Sequence, residues 1–228
     1  MTVSALLTSI SLLFFNTHGM MPNDARLEST AALAKNANPD FVYMTEEYTG
    51  QMDALMLDDY PFKESATAHI DVTERFYSKY PILDVADVGA LSSEKYTDAW
   101  VHRVRVAVGD GNTVNIYCCH LPHGYNDRVS IVKAILQDIS IVGGRAVVGG
   151  DMNSLAISSP VLMLGRGGLL DSWSEKGRGG GSTFHGFPFG IRVDYVFHSR
   201  DLHLQSVKRI SGSGISDHDA LFAEFLID

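Results

Sequence analysis

A handful of polar residues in this 228-residue sequence stand where chemistry could be done. Asn16 follows the apolar run 12–15, Glu46 follows 41–44 after one residue, His120 follows 116–119, and Asp151 follows Val147, Val148 and two glycines, with Asn153 two residues on. In the last third the order reverses: Asp194 lies near the start of the run 191–198, and Asp217 and His218 directly precede 220–227. If the later strands run antiparallel to the earlier ones, their beginnings share an edge with the others' ends, and all these side chains converge. Carboxylates crowded in a cleft repel, and burying them ionised without a partner is costly, so such a site calls for a cation. Carboxylate and amide oxygens suit Mg²⁺ or Mn²⁺ better than Zn²⁺, which favours more His and Cys. His120 and His218 could orient a phosphate or move a proton.

The elements that would position these residues can be read from periodicity. Runs of strand length occur at 9–15, 41–44, 101–108, 113–119, 146–148, 191–198, 203–207 and 220–227. After Asp127, which can cap a helix, Val129, Val132, Ile135, Leu136 and Ile139 form one apolar stripe, with Lys133, Gln137 and Asp138 facing away. A second helix is predicted over 23–36 with Leu27, Ala31 and Ala34 inward, and a short one starts at Ser159 and Pro160. Helices and strands alternate early and strands alone follow residue 191, the pattern of a layered α/β or α+β architecture. No internal repeat or linker is visible, so a single domain over 1–228 is expected.

Composition narrows the class. Apolar residues make up 45% and charged residues 20%, which excludes wholesale disorder or a fibrous repeat. A formal charge of -9 offers no long-range attraction to a polyanion, so any nucleic-acid contact must be local or metal-assisted. The two cysteines, Cys118 and Cys119, are adjacent and would point to opposite faces of a strand; no disulfide framework is possible. The run 5–15 has no Lys or Arg before it and no cleavage site after it, and no run reaches membrane-helix length. A reducing compartment, the cytoplasm, is expected, with secretion left open, and so is a monomer with no membrane insertion.

Several segments then resemble the ordered motifs of one superfamily. These are FFNTHG around Asn16, PDFVYMTE around Glu46, SKYPI from Ser78, His120-Leu121, GDMN from Gly150, RVDYVF from Arg192 and SDH from Ser216. In that order they resemble the endonuclease/exonuclease/phosphatase superfamily, the DNase I-like fold, over 16–225. The resemblance implies an α/β (α+β) four-layer sandwich, two central, mostly antiparallel β-sheets flanked by helices, that hydrolyses phosphate esters with a divalent metal, Mg²⁺ or Mn²⁺. By the same resemblance Glu46 is the principal metal ligand, with Asn16 and Asp217 close to the ion. Asp151 orients or deprotonates water, Asn153 contacts phosphate, His218 pairs with Asp194, and His120 is a second phosphate-binding histidine.

Other readings compete locally. Glu47 rivals Glu46, since only one of an adjacent pair can face a cleft; Asp151 and Asn153 could form a simple turn. His18 and His185 could rim the site, and Arg192 is expected to touch phosphate, whereas Lys79, Arg103, Arg105 and Arg128 form no run and are expected in solvent. Gly190-Ile191 stands where the abasic-site branch carries an aromatic residue, and the Trp-Cys-Asp-Arg run of inositol phosphatases is missing. The reading is therefore a phosphodiesterase, first a nuclease on DNA. The alternatives are a small phosphoester or lipid-headgroup hydrolase and a non-catalytic interaction module.

Overall fold

The computed structural model describes residues 8–48, 50–69, 72–88, 100–109 and 111–227. Residues 1–7, including the start of the apolar run at 5–15, lie outside them. The elements in chain order are β1 (Thr8–Met20), α1 (Leu27–Ala37), β2 (Phe41–Glu47), α2 (Met52–Met56), β3 (Phe62–His69), β4 (Val72–Ser78), β5 (Ile82–Asp87) and β6 (Trp100–Ala107). They continue with β7 (Thr113–His120), α3 (Tyr125–Val142), β8 (Arg145–Asp151), α4 (Ser159–Arg166), β9 (Leu170–Asp171), α5 (Ser172–Lys176), β10 (Asp194–His198), β11 (Leu202–Ile210) and β12 (Ala220–Ile227).

Strand alternation builds the layers. On β1, Ile10, Leu12 and Phe14 enter a core shared with Val104, Ile116, Cys118, Val147 and Val196 of the facing sheet. Leu13 and Phe15 point the other way, onto Ala31 and Ala34 of α1 and Met52 and Met56 of α2. On β7, Tyr117 and Cys119 meet Ile131, Val132 and Ile135 of α3 together with Val161 and Leu164 of α4. The result is helix, sheet, sheet, helix: the expected four-layer sandwich. Cys118 and Cys119 are both buried, one in the inter-sheet core and one against a helix, as alternation requires.

The two sheets repeat one topology. Their strand orders are β11-β12-β1-β2-β4-β3 and β5-β6-β7-β8-β10-β9. Each is centred on a parallel pair, β1 with β2 and β7 with β8, the first joined through α1 and the second through α3. All other pairings in both sheets are antiparallel. A parallel pair joined through a helix delivers both carboxyl ends to one edge. Asp194 at the start of β10 sits opposite Asp151, and β12 pairs with β1 from Leu221 opposite Phe14, so residues 217 and 218 arrive beside the end of β1. The antiparallel return of the late strands brings all these positions to one edge.

Several local expectations need correction. β1 continues past Asn16 to Met20 through a register break, with positive φ at His18 and Gly19. The second helix begins at Leu27 rather than 23. α3 begins at Tyr125 with Gly124 as N-cap; Asp127 lies in the first turn, where its charge suits the helix dipole instead of capping it. Asp138 does not face away: it accepts from the Tyr117 hydroxyl at 2.8 Å and pairs with Arg103 Nε at 3.1 Å. Arg103 is accordingly buried, not solvated. Strands β3, β4 and β5 were not legible, being rich in charged and small residues and lying toward sheet edges.

Candidate active site

At the shared edge the side chains line one cleft of about 520 Å³, including Asn16, Glu46, His120, Asp151, Asp217 and His218. Local backbone chemistry explains why they point inward. A Cβ at Gly149 would meet the Phe14 ring at 2.4 Å, and Gly150 holds φ +126° with the Cys119 carbonyl against it. Only glycines let β8 approach β1 and β7 this closely and still present Asp151. Glu46 is itself left-handed, at φ +60°. That break in the extended run resolves the adjacent pair: Glu46 enters the cleft, while Glu47 is fully buried with its Oε2 3.2 Å from Arg75 Nε. His18 and Asn153 also have positive φ, so three non-glycine residues at the cleft carry backbone strain.

The hydrogen bonds form one network. Asn16 donates through Nδ2 to Glu46 Oε1 at 2.9 Å and to Asp151 Oδ2 at 3.1 Å, while its Oδ1 accepts from the His18 amide. As oriented, its nitrogen rather than its oxygen faces the carboxylates. Asp151 Oδ1 accepts from the Asn153 amide at 2.8 Å, and Asn153 Nδ2 donates to the Leu121 carbonyl. His218 Nδ1 lies 2.9 Å from Asp194 Oδ2, leaving Nε2 3.9 Å from Asp151 and 4.0 Å from Asp217. His120 Nε2 is 3.6 Å from Glu46 Oε1. All eight candidate positions from the sequence thus belong to this network.

Electrostatics separate the groups. Burial and the charge of Asp194 push the Asp151 carboxyl up to about 6, against the opposing pull of His120 and His218. Burial alone would lower His218, but its bond to Asp194 and the charges of Asp194, Asp151 and Asp217 raise it to about 9. At neutral pH the pair is therefore an imidazolium beside a carboxylate that is mostly ionised.

Of the residues at the margin, His18 does rim the cleft, with Nδ1 3.0 Å from Asp217 Oδ1. His185 does not; it pairs with Asp219 in a neighbouring depression. Contrary to expectation Arg192 is turned away from the cleft, held by Asp171 at 2.9 Å and lying over the Tyr195 ring. Arg128 donates to the Asn153 carbonyl and so braces the turn after β8.

Sequence reasoning missed three supports. Thr183 Oγ1 accepts from the amides of Val193 and Asp194, Phe184 packs its ring 4.9 Å from that of His218, and Ser216 Oγ donates to the Asn16 carbonyl. Ser216 was visible in SDH; Thr183 and Phe184 sit in a glycine-rich loop with no periodic signal.

The donor set fits a hard divalent ion. Glu46 and Asp217 are carboxylates with side chains 24% and 30% exposed at the cleft, able to receive an ion from solvent. Asp151, Asp194 and His218 also bring ligand atoms within 4.8 Å of one another. There, however, His218 and Asp194 already occupy each other, and an ion would have to break their bond. Glu46 and Asp217 line the same cleft and are more open to solvent.

Comparison with known proteins agrees with this picture. A family model described as the Endonuclease/Exonuclease/phosphatase family matches residues 13–218. No curated protein matches the sequence. The fold is similar to the endonuclease/exonuclease/phosphatase from Bacteroides vulgatus (TM-score 0.84, 19% identity, 97% of this chain and 100% of that one). It is also similar to truncated Caenorhabditis elegans TDP2 (0.72, 19%, 95% and 97%) and to the human Nocturnin catalytic domain with bound sulfate anion (0.75, 14%, 96% and 95%).

Proposed function

The chain belongs to the endonuclease/exonuclease/phosphatase family, whose members are generally phosphoester-hydrolysing enzymes that use divalent metals, and from that premise we propose that it is a divalent-metal-dependent phosphodiesterase. The observation that carries the reading is the convergence, from both sheets, of two cleft carboxylates, Asp151 and the Asp194–His218 pair.

Glu46 and Asp217 would hold the ion, with Asn16 fixing Glu46 through its amide. When bound, Mg²⁺ or Mn²⁺ supplies positive charge that stabilises the developing charge on the phosphoryl oxygens. Asp194 keeps His218 protonated, and His218 Nε2–H donates toward the phosphate in the cleft. Asp151, ionised but with a raised pKa, accepts the proton of the attacking water, its second oxygen steered by the Asn153 amide. The Asn153 backbone amide aims Asp151, and its side chain, anchored by one N–H on the Leu121 carbonyl, offers its second N–H to the phosphate. His120 offers a second imidazole on the Glu46 side of the substrate. Phe184 and Phe187 line one wall and limit water around the reacting group.

DNA is the first substrate to test. A second reading, a small phosphodiester, is favoured by one observation: among the described residues no Lys or Arg lines the cleft, so none of them tracks a polyanionic backbone there. Purified protein is incubated with Mg²⁺ or Mn²⁺ and plasmid, single-stranded DNA, RNA or bis(p-nitrophenyl) phosphate, beside a Glu46→Ala control. Metal-dependent cleavage abolished in the control is expected. Cleavage of the small diester alone selects the second reading, and no turnover of any of them overturns both.

A further inference from the structure

A second cavity, of about 120 Å³, opens in the inter-sheet layer away from the cleft and is lined by Tyr43, Glu74, Phe76, Val104 and Cys118, with Glu64, Asp87 and His102 also on its walls. It shares strands with the cleft. β2 gives Tyr43 here and Glu46 there; β7 gives Cys118 here and His120 there, two residues on and about 7 Å along the strand. Glu74 on β4 is 2% exposed, and no hydrogen bond of acceptable geometry reaches either of its carboxyl oxygens among the described residues. A buried acid in this condition needs a reason.

The surroundings indicate what would satisfy it. Glu64, Glu74 and Asp87 put three acids on the cavity, while Arg75, its one guanidinium, is engaged by Glu47. His102 Nδ1 is 2.8 Å from Asp87 and its Nε2 3.9 Å from Glu74 Oε2. Water could fill the volume, roughly four molecules of it, but would bring no charge. A bare metal ion fits poorly, because His102 Nδ1 is already held by Asp87 and its Nε2 stands 3.9 Å from Glu74 Oε2. An organic cation can span wider gaps with several N–H donors, and Phe76 and Tyr43 give it aromatic walls.

We infer that this cavity is a binding site for a small organic cation rich in N–H donors, a primary ammonium or guanidinium of a few heavy atoms, held by the Glu74 carboxylate. Burial pushes the Glu74 carboxyl up to about 8, with the nearby Tyr43 hydroxyl opposing, so the cation displaces a proton on entry. The groups facing Glu74 from the packed strands are Tyr43 (β2), Glu64 (β3), Arg75 (β4), Asp87 (β5), His102 (β6) and Cys118 (β7).

The test is a ¹⁵N NMR titration of the full chain with ethylammonium, methylguanidinium and, as a cation without N–H donors, tetramethylammonium, at matched ionic strength. Saturable shifts of the Tyr43 and Cys118 amides by the first two alone are expected, with affinity rising up to tenfold for each pH unit of increase toward about 8 and weakened at least tenfold by Glu74→Gln. No saturable shift, an equal response to tetramethylammonium, or undiminished binding by a folded Glu74→Gln protein overturns the inference. Should that variant fail to fold, the comparison of the three cations on the unmodified chain decides alone. The readout requires no hydrolysis, so it stands or falls separately from the phosphodiesterase reading.

Discussion

Asp151 in the cleft and Glu74 in the side cavity are both buried acids in the same inter-sheet layer, on opposite sheets, yet they are poised differently. Asp151 receives the Asn153 amide and the Asn16 side chain and has two imidazoles nearby; its pKa rises only to about 6. Glu74 has only the nearby Tyr43 hydroxyl to oppose burial and rises to about 8. At neutral pH the first is mostly ionised and ready to take a proton, and the second holds one until a cation replaces it. Burial raises both; the charges of His120 and His218 and the Asn153 amide hold Asp151 down, whereas Glu74 has only the Tyr43 hydroxyl against it.

The largest effect that would break this contrast is on Asp151. Asp151→Asn should lower kcat for phosphodiester hydrolysis about 10³-fold while leaving the melting temperature unchanged or higher, since a buried acid facing Asp194 is removed. Hydrolysis within tenfold of the unmodified chain would show that Asp151 is no more committed to the chemistry than Glu74.

Glu47→Gln should do the opposite. It breaks the buried pair with Arg75 and should cost about 3 kcal/mol in denaturant unfolding, with kcat of the folded fraction retained. That outcome would separate the two adjacent acids, one for chemistry and one for structure.

Asp194→Asn should reduce activity about 10²-fold at pH 8 by removing the group that keeps His218 charged. The alkaline limb of the pH–rate profile, set near 9 in the unmodified chain, should move to lower pH. An unmoved limb would assign it to another group.

The effect most spread out, over several pH units, is the pH dependence of stability that comes from Glu74. Its folded pKa lies above the ordinary value of 4.5, so the folded state holds more protons; its contribution is fully present below about 4.5 and is lost as pH rises through about 8. Within that window stability should fall by up to about 1.4 kcal/mol per pH unit, and Glu74→Gln should flatten that slope in denaturant melts at several pH values. An identical slope in the variant would mean that Glu74 is not the group holding the proton.

The repeated sheet topology shows where sequence reading stops. The two parallel pairs, β1 with β2 and β7 with β8, occupy equivalent places in their sheets, yet no repeat is visible in the amino-acid sequence. Topology follows from the order of apolar runs and connections, which many residue choices satisfy, whereas the site follows from single residues that differ between the halves. Sheet one brings Asn16 and Glu46 to the edge; sheet two brings His120 and Asp151.

The sequence by itself determined the central strands, the main helices and the family, and it picked out polar residues at strand ends, because strand alternation and strand ends leave periodic marks in one dimension. Sequence reading favoured Glu46 over Glu47, and tertiary structure showed how the two part: a left-handed Glu46 enters the cleft while Glu47 is buried against Arg75. Tertiary structure alone decided that Arg192 serves Asp171 and that Glu74 is buried on the wall of the side cavity. Those outcomes depend on which groups meet across sheets, and partners distant in sequence leave no local signal.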